Sequence, residues 1–170
     1  MNTAQERACA MRRRYDLQRS CDIERVLAAE NVEVLRFPLA GRLDEVIVFN
    51  FIGVRDTIED ARLVYELLAH ALGHYLLHAG NQIEFVLPTN TLIADQWERQ
   101  AWDFAFELFM PAAMVETCLH DGWSDSDLQE DFEVSDEFFH RRMEAFRRDL
   151  AMQSSSNRRE YECNEYSDDW

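Results

Sequence analysis

Apolar positions along this chain repeat with two different periods, and the switch between them sketches the architecture. A helical period runs over about 4–30, with a break near Ser20 to Asp22, where Asp22-Ile23-Glu24 has the form of a fresh cap. Residues 32–37 (VEVLRF) alternate as a strand, Pro38 and Gly41 mark a turn, and Glu45 to Phe51 (EVIVFNF) read as a second strand. The helical period returns over about 57–79, opened by Thr57-x-x-Asp60, a start related to a capping box, and stopped at Gly80. Gln82 to Val86 is a candidate third strand and a candidate sheet edge beside a cleft. Helices are expected at about 95–109, 112–120, 125–131 and 135–150, the first ending before Pro111. This is an α+β pattern: a small sheet against a helical body, with no internal repeat. One domain over 1–152 is expected, followed by a polar, acidic and disordered tail over 153–170, where apolar periodicity is lost.

Within the 57–79 helix, residues 70–78 read HALGHYLLH. Positions four apart share a helix face, about 6 Å apart along the axis, so His70 and His74 can reach one metal ion. Zinc hydrolases use this spacing as H-E-x-x-H, in which the Glu after the first His is the general base. Here that position is Ala71. Two histidines leave a catalytic zinc short of its usual third protein ligand, and the next long helix, 98–111 (ERQAWDFAFELFMP), opens with an acid. His78 lies about 12 Å along the axis from His70, too far to share a metal with both. It is expected to cap the helix end or to hydrogen-bond behind the ligands. Glu66 lies one turn before His70 and is too distant to replace the missing base without rearrangement.

HALGHYLLH followed by ERQAWDFAFELFMP resembles the ImmA/IrrE family of bacterial and phage zinc metallopeptidases, whose pattern is approximately H-E-[LI]-G-H-x-x-L-H and then E-x-x-A-[ND]-x-F-A-x-x-L-L-M-P. The resemblance extends to DIERVLAAENVEVLRFPLAGRLDEVIVFN and LQEDFEVSDEFFHRRMEAF, covering about residues 20–148. It implies Zn2+ as cofactor, with His70, His74 and Glu98 as ligands; Gln100 stands where some members have a second acid. It also implies a helix-turn-helix repressor or similar regulator as the substrate of an active member, in stress, prophage or mobile-element control. Two positions depart from the family: Ala71 replaces the general base, and Trp102 stands where Asn or Asp is common. The Glu takes a proton from the attacking water and passes it to the leaving amine. Loss of such a group typically costs about 100- to 10,000-fold. The chain is therefore expected to be inactive as it stands. It is either a peptidase inactivated at one position, favoured by the intact motif around Ala71, or a natural pseudo-peptidase that binds a regulator as antirepressor or sensor. A zinc-stabilised interaction domain is the third reading.

Charge and composition narrow the partners. With 170 residues there is enough chain for a buried core. The net charge of −16 argues against direct nucleic-acid binding, which needs a basic surface, and suits a basic protein partner. All 17 basic residues are arginine, to which no function attaches. Cys9, Cys21, Cys118 and Cys163 lack C-x-x-C spacing, so reduced thiols are expected. The opening MNTAQERACAMRRRYDL is not a signal peptide, and no run of about 18 apolar residues offers a membrane span. A cytoplasmic setting is expected.

Overall fold

The computed structural model describes residues 2–18, 21–41, 43–78 and 91–165; side chains are described for these except Thr91 and 153–165. Chain order is α1 (Thr3–Arg14), α2 (Ile23–Ala29), β1 (Glu33–Phe37), β2 (Glu45–Val48), β3 (Phe51–Arg55), α3 (Ala61–Leu77), α4 (Thr91–Phe109), α5 (Ala112–His120), α6 (Asp125–Asp131) and α7 (Asp136–Glu165). The class is α+β, with a three-stranded mixed sheet in the order β1-β3-β2 and a helical body.

Several sequence expectations need correction. The break expected near Ser20 to Asp22 is present, wider than expected, and separates α1 from α2. α1 stops at Arg14 because Asp16 turns into the left-handed region (φ 48), while Asp22 caps α2 by accepting from the Arg25 N–H at 3.0 Å. The single strand expected over Glu45 to Phe51 is the hairpin β2–β3. Its turn is Phe49–Asn50, with Val48 opposite Phe51 and Phe49 at φ 54. No glycine announces this turn, and a bulky residue rarely adopts a positive φ. β1 pairs in parallel with β3 (Val34 opposite Ile52), so the middle strand is one the sequence pattern had merged into its neighbour. The strand expected at Gln82 to Val86 and the stop at Gly80 lie outside the described residues. α3 begins at Ala61 rather than near Thr57, with Asp60 as its N-cap, accepting from the Arg62 N–H at 2.9 Å. α4 begins earlier than expected, at Thr91. α7 runs to Glu165, well past 150, so most of the segment expected as a disordered tail is helical. Once a helix is nucleated by its packed half, each further residue adds a hydrogen bond at little cost.

The core lies between α3, α4 and the sheet, with α1 and α7 closing over α4. Leu68, Leu72, Ile52, Val54, Phe104, Leu108 and Phe138 are all buried. Each large apolar side chain removed from water contributes about 1.5–3 kcal/mol. At the far end of α4, buried charged groups are paired. There Arg142, 1% exposed, meets Glu107 at 3.2 Å and donates to the Met110 carbonyl at 2.8 Å. Glu107 also accepts from the Ala112 N–H at 3.1 Å and the Cys9 thiol at 3.3 Å. This cluster ties α1, α4, α5 and α7 together. No disulfide joins the cysteines whose side chains are described. No helix among the described residues is long and apolar enough to cross a membrane.

Candidate metal centre

α3 and α4 approach more closely than ordinary side chains allow. A Cβ built on Gly73 would lie 2.9 Å from the Ala101 carbonyl oxygen and 3.2 Å from the Phe104 ring. Gly73 sits between the two histidines in sequence and Ala101 three residues after Glu98. The smallness of both lets the first turns of α4 come up against the histidine face of α3. His70 and His74, both buried, thereby meet Glu98, which reaches in from the solvent side with 58% of its side chain exposed. The Glu98 carboxylate bridges the rings, at 3.3 Å from His70 Nε2 and 3.2 Å from His74 Nε2. One ligand atom from each of the three residues falls within 4.8 Å of the others.

This donor set suits a small, borderline-soft divalent cation. Two nitrogens and a carboxylate oxygen are common zinc ligands, and tetrahedral ligands about 2.0–2.1 Å from zinc lie about 3.3 Å from each other. His70 Nε2 is buried without a hydrogen-bond partner, a condition that native proteins seldom leave uncompensated. Burial pulls the His70 pKa down, but the Glu45 and Glu98 carboxylates outweigh it and raise the value from 6.5 to about 9. Glu98 is held well below the usual carboxylate range by His70 and His74, against the opposing effect of its partial burial.

Around the trio stands an aromatic frame. Trp102 stacks on His70 with ring centroids 4.2 Å apart, and the Arg141 guanidinium lies over the Trp102 ring, 3.8 Å from its centroid. His74 meets His70 edge-on at 4.6 Å. His78 is the C-cap residue of α3; its ring stacks on Trp97 at 4.9 Å, and its Nε2 lies 3.2 Å from the Trp97 carbonyl oxygen. It contributes no atom to the three-residue group. Burial, then the neighbouring His74, lowers its pKa. Ala71 has no solvent exposure and belongs to the apolar core. Glu66 is committed elsewhere: it accepts from the Ser135 N–H at 2.6 Å and the Ser135 hydroxyl at 2.8 Å, bracing the start of α7. His120, beside Asp121, is exposed and belongs to α5. A cavity of about 420 Å³ opens beside Glu98, lined among others by Trp102, Arg141, Glu144 and Arg148.

The sequence pattern of the IrrE N-terminal-like domain matches residues 51–144, more than half of the chain and all of α3 and α4. The chain belongs to this family. It is a family of zinc metallopeptidase-like proteins, so the three-residue group lies in the segment where family membership calls for a metal. No curated protein and no solved structure matches the chain. Two groups at the centre escaped the sequence reading. Glu45, before the matched span, touches His70 Nδ1 from β2, and Arg141 reaches Trp102 from α7. An acid opening an apolar strand was the one hint of the first, and its inward direction depends on the hairpin register; nothing local marked the second.

Proposed function

We propose that this IrrE-like chain is a zinc-binding pseudo-peptidase that captures a segment of a helix-turn-helix repressor or similar regulator without cutting it. The observation that carries this reading is the junction of a complete set of candidate ligands with an apolar, fully buried Ala71 directly after the first histidine. His70, His74 and Glu98 would hold one zinc, which when bound supplies Lewis acidity toward a carbonyl. The remaining roles belong to this chain's side chains. Trp102 and Arg141 wall the approach to the centre, and Arg141, Arg148 and Glu144 offer polar contacts to an extended segment in the adjoining cavity. No carboxylate occupies position 71 to take up a proton, and Glu66 is held by Ser135. The excess of acids over the whole chain suits a basic DNA-binding partner and would make the complex sensitive to salt.

A second reading, an endopeptidase inactivated at one position, is favoured by the intact geometry of the three candidate ligands. Ala71→Glu separates the two. With zinc and a helix-turn-helix regulator that the unsubstituted chain binds, cleavage at one bond by Ala71→Glu would establish the inactivated peptidase. Stable complex formation without cleavage supports capture. Zinc analysis of the unsubstituted protein tests the shared basis: about one equivalent is expected, lost in His70→Ala. Failure to bind any helix-turn-helix regulator with zinc retained would leave an interaction domain of another kind.

A further inference from the structure

We propose that Glu45 is a positioning residue of the metal centre, holding the Nδ1 side of His70 so that Nε2 is presented bare to the metal. This rests on the metal-binding reading above and adds a residue outside the family-matched span.

The sheet carries Glu45 to His70. Glu45 opens β2 and lies opposite Val54 in the register, two residues from Ile47, which lies opposite Ile52. Ile47, Ile52 and Val54 are all buried, so Glu45 occupies the core-facing row of the hairpin, where an apolar residue would ordinarily stand. Its place is fixed from behind. Arg55 of β3 pairs with Asp44 at 2.8 Å and donates to the Leu39 carbonyl at 2.8 Å and the Gly41 carbonyl at 3.0 Å, clamping the loop that leads into Glu45. The Glu45 carboxylate then meets His70 Nδ1, with 16% of the Glu45 side chain and 7% of the His70 side chain exposed.

The aromatic neighbour of His70 does not fix its orientation. Stacking on Trp102 sets the plane of the ring (interplanar angle 23°). An imidazole turned by half a revolution about its Cβ–Cγ bond presents the same plane, with carbon and nitrogen exchanged. Glu98, at 3.3 Å from Nε2, comes from a largely exposed side chain and makes no hydrogen bond there, so the buried partner that distinguishes the two orientations is the one at Nδ1. A carboxylate acceptor there places the proton on Nδ1 and leaves the Nε2 lone pair for a metal. A purely structural ion pair would instead satisfy its own atoms, as Glu107 and Arg142 do. Here Glu45 Oε2 and His70 Nε2 are both buried without a hydrogen-bond partner, and the contact of His70 Nε2 at 3.3 Å is with Glu98, itself a candidate metal ligand. That pattern belongs to a site assembled for a ligand.

The test compares zinc affinity, by competition with a chelating dye, in the full chain and in Glu45→Val, Glu45→Gln and His70→Ala. Valine suits a strand and removes the acceptor; glutamine keeps an acceptor and loses the charge. Glu45→Val is expected to bind zinc about 10- to 100-fold more weakly, the usual cost of losing such a partner, and Glu45→Gln to lose less. Nitrogen-15 NMR of the unsubstituted zinc-loaded protein, which requires no variant to fold, should show His70 protonated on Nδ1. Affinity in Glu45→Val within twofold of the unsubstituted chain, or His70 protonated on Nε2, overturns the positioning role. Loss of zinc in His70→Ala but not in Glu45→Val overturns Glu45 alone; no zinc uptake by the unsubstituted chain overturns the metal reading itself.

Discussion

α4 links two polar clusters that solve the same problem in opposite ways. Toward its C-terminal end, Glu107 and Arg142 are buried and mutually paired, and each has further partners on the backbone or on Cys9. Toward its N-terminal end, Glu98 is largely exposed and lies 3.3 Å from His70 Nε2, while His70 Nε2 and Glu45 Oε2 are buried without a hydrogen bond. A closed network stabilises a particular packing of helices. An open one, reached by a solvent-facing carboxylate, leaves atoms available to something else. Perturbed ionisation alone would not separate the clusters, because burial and charge act in both; the difference lies in which polar atoms remain without partners.

The largest effect should come from breaking the closed cluster. Arg142→Ala leaves Glu107 buried without its counter-charge and is expected to cost about 3–5 kcal/mol in chemical unfolding. Replacing both residues with apolar ones of similar size should recover most of that loss. If the single variant unfolds like the parent, the ion pair is not what holds this end of α4.

The open cluster should instead show itself through pH. In the metal-free protein His70 is raised from 6.5 to about 9 by its carboxylate neighbours, despite burial. The folded state thus binds this proton more tightly than the unfolded chain. The stabilisation is fully present below pH 6.5 and is lost as pH rises through about 9, a loss of about 3 kcal/mol. Melting temperatures of the metal-free chain across this range should fall, and saturating zinc should flatten the slope by keeping His70 neutral. A flat metal-free profile would contradict the assigned contacts of His70.

Gly73→Ala probes the contact that sets α4 against α3 beside the open cluster. The added methyl collides with Ala101 backbone, for which about 1–3 kcal/mol is expected. Zinc affinity should fall as well, because Glu98 moves with α4. Loss of stability with unchanged zinc binding would detach the helix spacing from the site. The smallest effect on the metal-free fold is expected from His74→Ala, about 1 kcal/mol or less, since truncation relieves crowding of imidazoles while removing some packing. Its zinc equivalent should nevertheless disappear in metal analysis.

Legibility in the sequence followed the distance between partners along the chain. His70 and His74 declare themselves through helical spacing, and Glu98 through the E-x-x-A segment of the family resemblance. The α+β class followed from the change of period. The Phe49–Asn50 turn stayed hidden because no residue there has a turn preference strong enough to interrupt EVIVFNF, so β3 was absorbed into β2. Glu45 was hidden with it: without the hairpin, its inward direction cannot be assigned. The Arg141 contact with Trp102 spans α4 to α7 and depends on packing alone.

The contact at Gly73 turns the two helices into a gauge. Backbone atoms of Ala101 lie within 3.0 Å of where a Cβ of residue 73 would be, so the helices can come no closer at that level. A carboxylate and two imidazoles mounted on such a frame offer one spacing rather than a range. Calcium, which requires six to eight oxygens at about 2.3–2.6 Å, gains little from this arrangement. Ions that accept few, short bonds to nitrogen gain most. Choice among cations would thus be made by two small residues that never touch the ion.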